Sequence, residues 1–166
     1  MKEVILKDYS FEHYNKTVEW LNLPDIKKEF GVINLVTLES HKKWMENIRN
    51  VVIKAIYIDG KYIGNILLHL DLNHNSGFFQ IYIGENLERG KGFAKIAIHK
   101  ALQEFFDIFK LNRIWLKVFS DNTVALHIYK TLGFVKEGEE RESFNFNGSY
   151  KNQLIFSILR KEWDIK

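Results

Sequence analysis

Two short segments carry side chains whose types and spacing could do chemistry. The first is 78–94, FFQIYIGENLERGKGFA, in which a β-rich run reaches Arg89-Gly90-Lys91-Gly92-Phe93-Ala94 and then enters an amphipathic stretch. Glycine takes backbone angles closed to other residues and lets a ligand come close to the chain. The first N–H groups of the helix that follows lack partners within it, and the helix dipole stands behind them. Such a turn suits a phosphate or pyrophosphate, and Arg89 and Lys91 add positive charge. The same glycines could simply end a strand, because one glycine-rich turn is weakly specific. The order Gly90-x-Gly92-x-Ala94 is neither GxxxxGKS/T nor GxGxxG, which argues against P-loop and Rossmann loops.

The second segment is 122–134. Asn122 stands where a strand gives way to a helix, Tyr129 lies two turns on, and Gly133-Phe134 turns the chain back into a strand. A purely structural account reads Asn122 as a cap and Tyr129 as a core residue. Ala125, Ile128 and Leu132 fit that account in any case.

Together, and in this order, the two segments resemble the GNAT superfamily of acyl-CoA N-acyltransferases. Arg89-Gly90-Lys91-Gly92-Phe93-Ala94 satisfies that family's loop, Q/R-x-x-G-x-G/A, at every fixed position. Residues 122–134 meet its later motif, N-x-x-A-x-x-x-Y-x-x-x-G-F, in full. The resemblance is specific over about 51–161 and vague over the first fifty residues. It implies acetyl-CoA as cosubstrate, lying in a V-shaped gap between the 78–83 and 113–119 strands. Backbone groups near Ile81 and Ile83 would pair with the pantetheine arm, and N–H groups of 89–94 would hold the pyrophosphate. Tyr129 would protonate the departing thiolate and Asn122 would orient the cofactor. A free amine can attack the thioester directly, so no covalent enzyme intermediate is expected.

The amine must first lose a proton, commonly through water. Many relatives carry a Glu in the strand before the loop, and here Phe78 stands at about that position. Alternation puts Phe78, Gln80 and Tyr82 on one face and Phe79, Ile81 and Ile83 on the other. Gln80 cannot act as a base. Glu85 and Glu88 follow the strand, and Glu88 is expected to face solvent. His69 and Asp71 share a face of the neighbouring strand and could serve through water, although His69 reads first as a half-exposed strand residue. His69 with His74 makes no metal site, since a third ligand is not apparent.

The acceptor has to be read from residues 10–45. Trp20 to Ile26, followed by Ser40-His41-Lys42-Lys43-Trp44, is similar to the helix pair of the branch that acetylates nucleotide-linked amino sugars. The tail, Phe144 to Tyr150, is similar to that branch and to spermidine and ribosomal-protein N-terminal acetyltransferases. Trp20, Phe30 and Trp44 either fill the core or stack on a base or sugar. The expected acceptor-binding residues are Trp20, His69, Gln80 and Tyr82. Asp25, Glu29 and Glu39 are balanced by Lys27, Lys28, Lys42 and Lys43. That balance favours an anionic nucleotide-linked amino sugar over a polycation. A peptide N-terminus, a polyamine and a non-catalytic CoA-binding module stand as alternatives.

These residues need a scaffold, and the remaining pattern supplies one. Strands are expected at 2–7, 51–58, 62–72, 78–83, 113–119, 134–140 and 150–160. Helices are expected at 10–22, 37–49 (capped by Thr37 or Ser40), 91–109 and 122–132. Asp59-Gly60 and Asn147-Gly148 mark hairpin turns. Phe93, Ala97, Ala101, Phe105 and Phe109, beside Ala94, Ile98, Leu102 and Phe106, make a wide buried stripe on the third helix. The expected fold is α+β, mixed α/β: one N-acetyltransferase domain over 1–166. Its sheet is central and mostly antiparallel, with about seven strands flanked by about four helices.

Composition sets the outer bounds. At 166 residues, 46% hydrophobic and 27% charged, the chain is an ordinary globular one and not a disordered or low-complexity segment. It has no cysteine, which excludes disulfide frameworks, thiolate metal sites and a cysteine nucleophile. A net charge of +3 without a basic stripe or an aromatic ribonucleoprotein motif argues against a nucleic-acid partner. The charged start cannot act as a signal peptide, and no segment is apolar enough to span a bilayer, so a cytoplasmic, membrane-free protein is expected. The partner is then a small-molecule amine acceptor, and the chain length is compatible with a homodimer.

Overall fold

A computed structural model describes residues 2–165. Its seven strands are β1 (Val4–Asp8), β2 (Val51–Ile58), β3 (Lys61–Asp71), β4 (Ser76–Ile83), β5 (Arg113–Phe119), β6 (Val135–Phe146) and β7 (Ser149–Leu159). They form one sheet in the order β1-β2-β3-β4-β5-β7-β6. Helices are α1 (Tyr14–Leu21), α2 (Pro24–Phe30), α3 (Leu38–Asn47), α4 (Phe93–Phe109), α5 (Thr123–Thr131) and the four-residue α6 (Arg160–Trp163). The strands agree with the sequence reading in number and order, but β6 runs on to Phe146 where a strand over 134–140 was expected. Two helices were not expected: α2 and α6. Pro24 opens α2, where its fixed φ suits a first helical residue, and Gly31 closes it in the left-handed conformation at φ 70.

Local chemistry explains most element ends. Asp59-Gly60 and Asn147-Gly148 both carry positive φ at both positions, as a two-residue hairpin turn of the right twist requires. Thr37 caps α3: its hydroxyl accepts from the Ser40 N–H at 3.0 Å while the Ser40 hydroxyl accepts from the Thr37 N–H at 2.9 Å. The β4–β5 ladder is parallel and covers only Ser76–Phe78 against Arg113–Trp115.

Two compact units divide the chain. The first takes the residues up to Leu68 with Gln80–Ala101. The second takes His69–Phe79 with the residues from Leu102 onward. In the first unit a cluster of Trp20, Ile26 and Tyr82 is joined by Leu23, Phe30, Tyr62 and Leu67. In the second, Phe105, Phe106, Ile114, Leu116, Phe156 and Ile158 are all buried. Helix α4 runs through both and buries both predicted rows, with Ala97, Ile98, Ala101, Leu102, Phe105 and Phe106 at 0–1% exposure.

Packing leaves no room for a side chain just past the end of β4. A Cβ on Gly84 would sit 2.0 Å from the indole of Trp20, itself 2% exposed. Gly84→Ala should therefore destabilise the fold by about 1–3 kcal/mol, the usual cost of overpacking. That is a Tm drop of roughly 2–12 °C at this chain length. An unchanged Tm in a thermal melt would mean that Trp20 is not held as described.

Candidate active site

The glycine loop lies wholly in the first unit. After β4 the chain makes a short 3-10 turn, Asn86–Glu88, and Arg89 is extended. Gly90 and Gly92 then take φ 73 and 83, in the left-handed region that favours glycine. The Gly92 carbonyl accepts from the Ile96 N–H at 3.5 Å, so α4 begins here. The N–H groups of its first turn are directed out of the helix. A Cβ on Gly90 or Gly92 would meet nothing within 4 Å, so the space before the loop is open. Open space, exposed N–H groups and the positive end of a 17-residue helix fit a pyrophosphate.

The loop cations are placed differently from the expectation. Lys91 donates to Glu88 at 3.0 Å, and Glu88 also lies 4.0 Å from Lys2. The Glu88 side chain is only 11% exposed, which corrects the solvent-facing expectation. The hydrogen bond from Lys91, with the charge of Lys2 in support, holds its carboxyl below the ordinary range. Arg89 turns back into the protein. Its Nε donates to the Ile83 carbonyl at 2.7 Å and its Nη1 to Asp25. Both cations thus have carboxylate partners, and the attraction for an anion rests first on backbone N–H groups. Phe93 is buried at the start of α4, and Ala94 is half-buried beside it. Ile81 and Ile83 are half-buried and lie past the last β4–β5 residue pair.

In the second unit, the Asn122 side chain accepts from the Ala125 N–H at 3.1 Å and so caps α5. The spacing of Tyr129, Gly133 and Phe134 has a plain physical origin. The Phe134 N–H donates to the Tyr129 carbonyl and the Gly133 N–H to the Lys130 carbonyl, both at 3.0 Å, with Gly133 at φ 86. That is a Schellman close, completed by contact of the Tyr129 and Phe134 rings at 5.5 Å. Tyr129 is 8% exposed. The motif therefore fixes the Tyr129 ring in place through the way the helix ends.

The expected acceptor residues separate. Trp20 is a core residue, which corrects its assignment to the acceptor site; it packs against Tyr62 at 4.7 Å and beside Gly84. Gln80 is half-buried. Tyr82 is buried, and it does not share a face with Phe78 and Gln80 as alternation predicts. Burial runs Gly77, Phe79 and then Tyr82, Gly84, so the two-residue period loses phase across Gln80–Ile81, as when one extra residue enters a strand. The Asn65 amide donates to the Tyr82 hydroxyl at 2.7 Å and to Thr17 at 3.1 Å. Thr17 also bonds Tyr62 and Tyr9, and Tyr9 meets His41 Nε2 at 2.8 Å. This buried network was missed. An Asn inside the apolar run YIGNILLHL was its one sequence signal, since a buried amide must find partners.

Tyr82 is not a ready base. Burial pushes the Tyr82 hydroxyl up to about 12, so it stays neutral at working pH. Phe78 is half-buried, with its ring 4.6 Å from that of Trp115, so this part of β4 presents an aromatic surface. His69 is half-buried with its ring 5.7 Å from that of Phe78. His74 bonds Asp71 at 2.9 Å in the exposed turn after β3. Glu85 pairs with Lys61 at 3.3 Å.

Comparison with known proteins identifies the family. The model of the acetyltransferase (GNAT) family matches residues 14–134. Spermidine N(1)-acetyltransferase of Vibrio cholerae is 38% identical over 97 residues, 58% of this chain and 56% of that protein. The Escherichia coli (strain K12) enzyme of the same name is 34% identical over 110 residues, 66% of this chain and 59% of that protein. The matched segment thus spans somewhat over half the length of these relatives. The crystal structure of Vibrio cholerae spermidine N-acetyltransferase with CoA and spermine superposes with a TM-score of 0.91 at 25% identity, covering 96% of this chain and 97% of that one. The chain belongs to the GNAT acetyltransferase family, with its α/β fold and seven-stranded sheet. Among the described residues no helix is long and apolar enough to cross a membrane.

Proposed function

We propose that residues 1–166 act as one acetyl-CoA-dependent N-acetyltransferase domain whose acceptor is a polyamine of the spermidine class. The observation that carries the acceptor is the likeness to spermidine acetyltransferases in sequence, together with the near-complete fold match to one holding CoA and spermine. This replaces the nucleotide-linked amino sugar favoured by the charge balance of 25–43. Lys28, Lys42 and Lys43 are exposed on helix surfaces, so their count does not describe what lines a site. Initial rates of thiol release across spermidine, an N-terminal peptide and a nucleotide-linked amino sugar test the choice. The highest kcat/KM should fall to spermidine. A clear preference for either of the others would move the acceptor to that class.

Acetyl-CoA supplies the acyl group. Backbone N–H groups of 89–94 receive the pyrophosphate, and backbone of Ile81 and Ile83 is offered to the pantetheine arm. The amine nitrogen forms its bond to the thioester carbonyl carbon as the carbon–sulfur bond breaks. The Tyr129 hydroxyl gives its proton to the thiolate, while Asn122 holds the start of α5 in register with it.

Deprotonation of the amine is assigned to ordered water and not to one carboxylate. Strand β4 carries no acid, and the Tyr82 hydroxyl stays protonated. The kcat/KM for spermidine should keep rising with pH toward the amine's own pKa, because free amine is then the limiting species. Glu85→Gln and His69→Ala should each lose less than about tenfold, below the usual cost of removing a general base. A thousandfold loss in either, with an inflection near pH 6–8 abolished, would identify a dedicated base instead.

A further inference from the structure

We propose that the Asp25–Arg89 pair is a latch that couples helix α2, within the 10–45 segment from which the acceptor is read, to the cosubstrate loop, so that CoA binding orders that helix. The proposal rests on the function proposed above for the identity of the cosubstrate. Arg89 opens the glycine loop, and the three nitrogens of its guanidinium stand in three different conditions. Nε is bonded to the last carbonyl of β4, Ile83, at 2.7 Å. Nη1 is paired with Asp25 in the first turn of α2. Nη2 is buried with no partner, and among the described residues it is the only buried side-chain nitrogen or oxygen in that condition.

A charged donor taken out of water without an acceptor is unfavourable, and the two N–H groups of Nη2 have none. An incoming oxygen would relieve this. Any shift of the loop around a bound pyrophosphate also moves the Arg89 backbone. Because the same planar group holds both Ile83 and Asp25, that movement is carried to α2 and not lost in solvent. Burial raises the Asp25 carboxyl, but the hydrogen bond and charge of Arg89 outweigh it and keep the group ionised, so the pair is charged at neutral pH. Helix α2 has a second tie to the strand: Ile26 is buried with Tyr82, and the Phe30 ring meets the Tyr82 ring at 5.0 Å. A seven-residue helix held at one end by an ion pair is short enough for its order to depend on that tie. Arg89 and Asp25 are positioning residues in this account.

Hydrogen exchange over residues 24–31, with and without CoA, tests the latch without reference to any acceptor. In wild type, saturating CoA should slow exchange there at least threefold. Asp25→Asn should abolish that slowing while CoA affinity, by calorimetry, stays within threefold. Asp25→Glu, which keeps the carboxylate, should restore it. With spermidine, Asp25→Asn should raise the acceptor KM about three- to tenfold and leave the acetyl-CoA KM within threefold. Equal protection of 24–31 in Asp25→Asn and wild type, or none in a wild type that binds CoA, overturns the latch and leaves the proposed function intact. Failure of wild type to bind CoA overturns both.

Discussion

Tyr129→Phe should lower kcat by about 10²–10⁴-fold, the usual cost of losing a general acid, while CoA affinity changes less than threefold. The ring of Tyr129 has a packing duty in the fold. It closes α5 against Phe134 at 5.5 Å within the Schellman turn, and phenylalanine keeps that contact. Removing the hydroxyl while the ring stays tests the chemistry apart from the ring packing. Tm should move by no more than a few degrees. Full kcat in the variant would leave Tyr129 as a helix-capping residue only, and the acid would have to be sought elsewhere.

Gly92→Val should weaken CoA binding at least tenfold, about 1.4 kcal/mol. Two effects act together. Gly92 sits at φ 83, where a β-branched residue is strained. The valine side chain would also enter the open space in front of the loop, where nothing stands within 4 Å of a Cβ. For folding alone that openness is harmless, which makes the substitution a clean probe. The variant should fold with a loss of roughly 1–2 kcal/mol from backbone strain. Calorimetry on folded Gly92→Val with wild-type affinity would remove the pyrophosphate from this loop.

Much of the scaffold was legible because it follows from short-range rules. Asp59-Gly60 and Asn147-Gly148 could only be hairpins of one twist, and Gly133 could only end a helix. The double apolar row of α4 announced a helix buried on a broad face. Helix α2 was missed although Pro24 and Gly31 bracket it, because seven residues give too few turns for a period to show. The site was legible in its motifs and not in its partners. Alternation misplaced Tyr82, since a slip of phase at Gln80–Ile81 depends on how β4 is paired and not on its residue types. Arg89 reads as a phosphate cation until Asp25, 64 residues away, is brought to it. Trp20 reads as a stacking residue until Gly84 leaves room for it in the core. The misses at the site are long-range contacts that a local pattern cannot carry.

Product analysis with acetyl-CoA and spermidine tests the central claim most directly. Thiol release and acetylspermidine should appear together, one for one, at a rate far above hydrolysis in buffer. Both should fall in Tyr129→Phe. Thiol release without an acetylated amine, or no turnover by a protein that binds CoA, would contradict the account and leave a CoA-binding module with this fold.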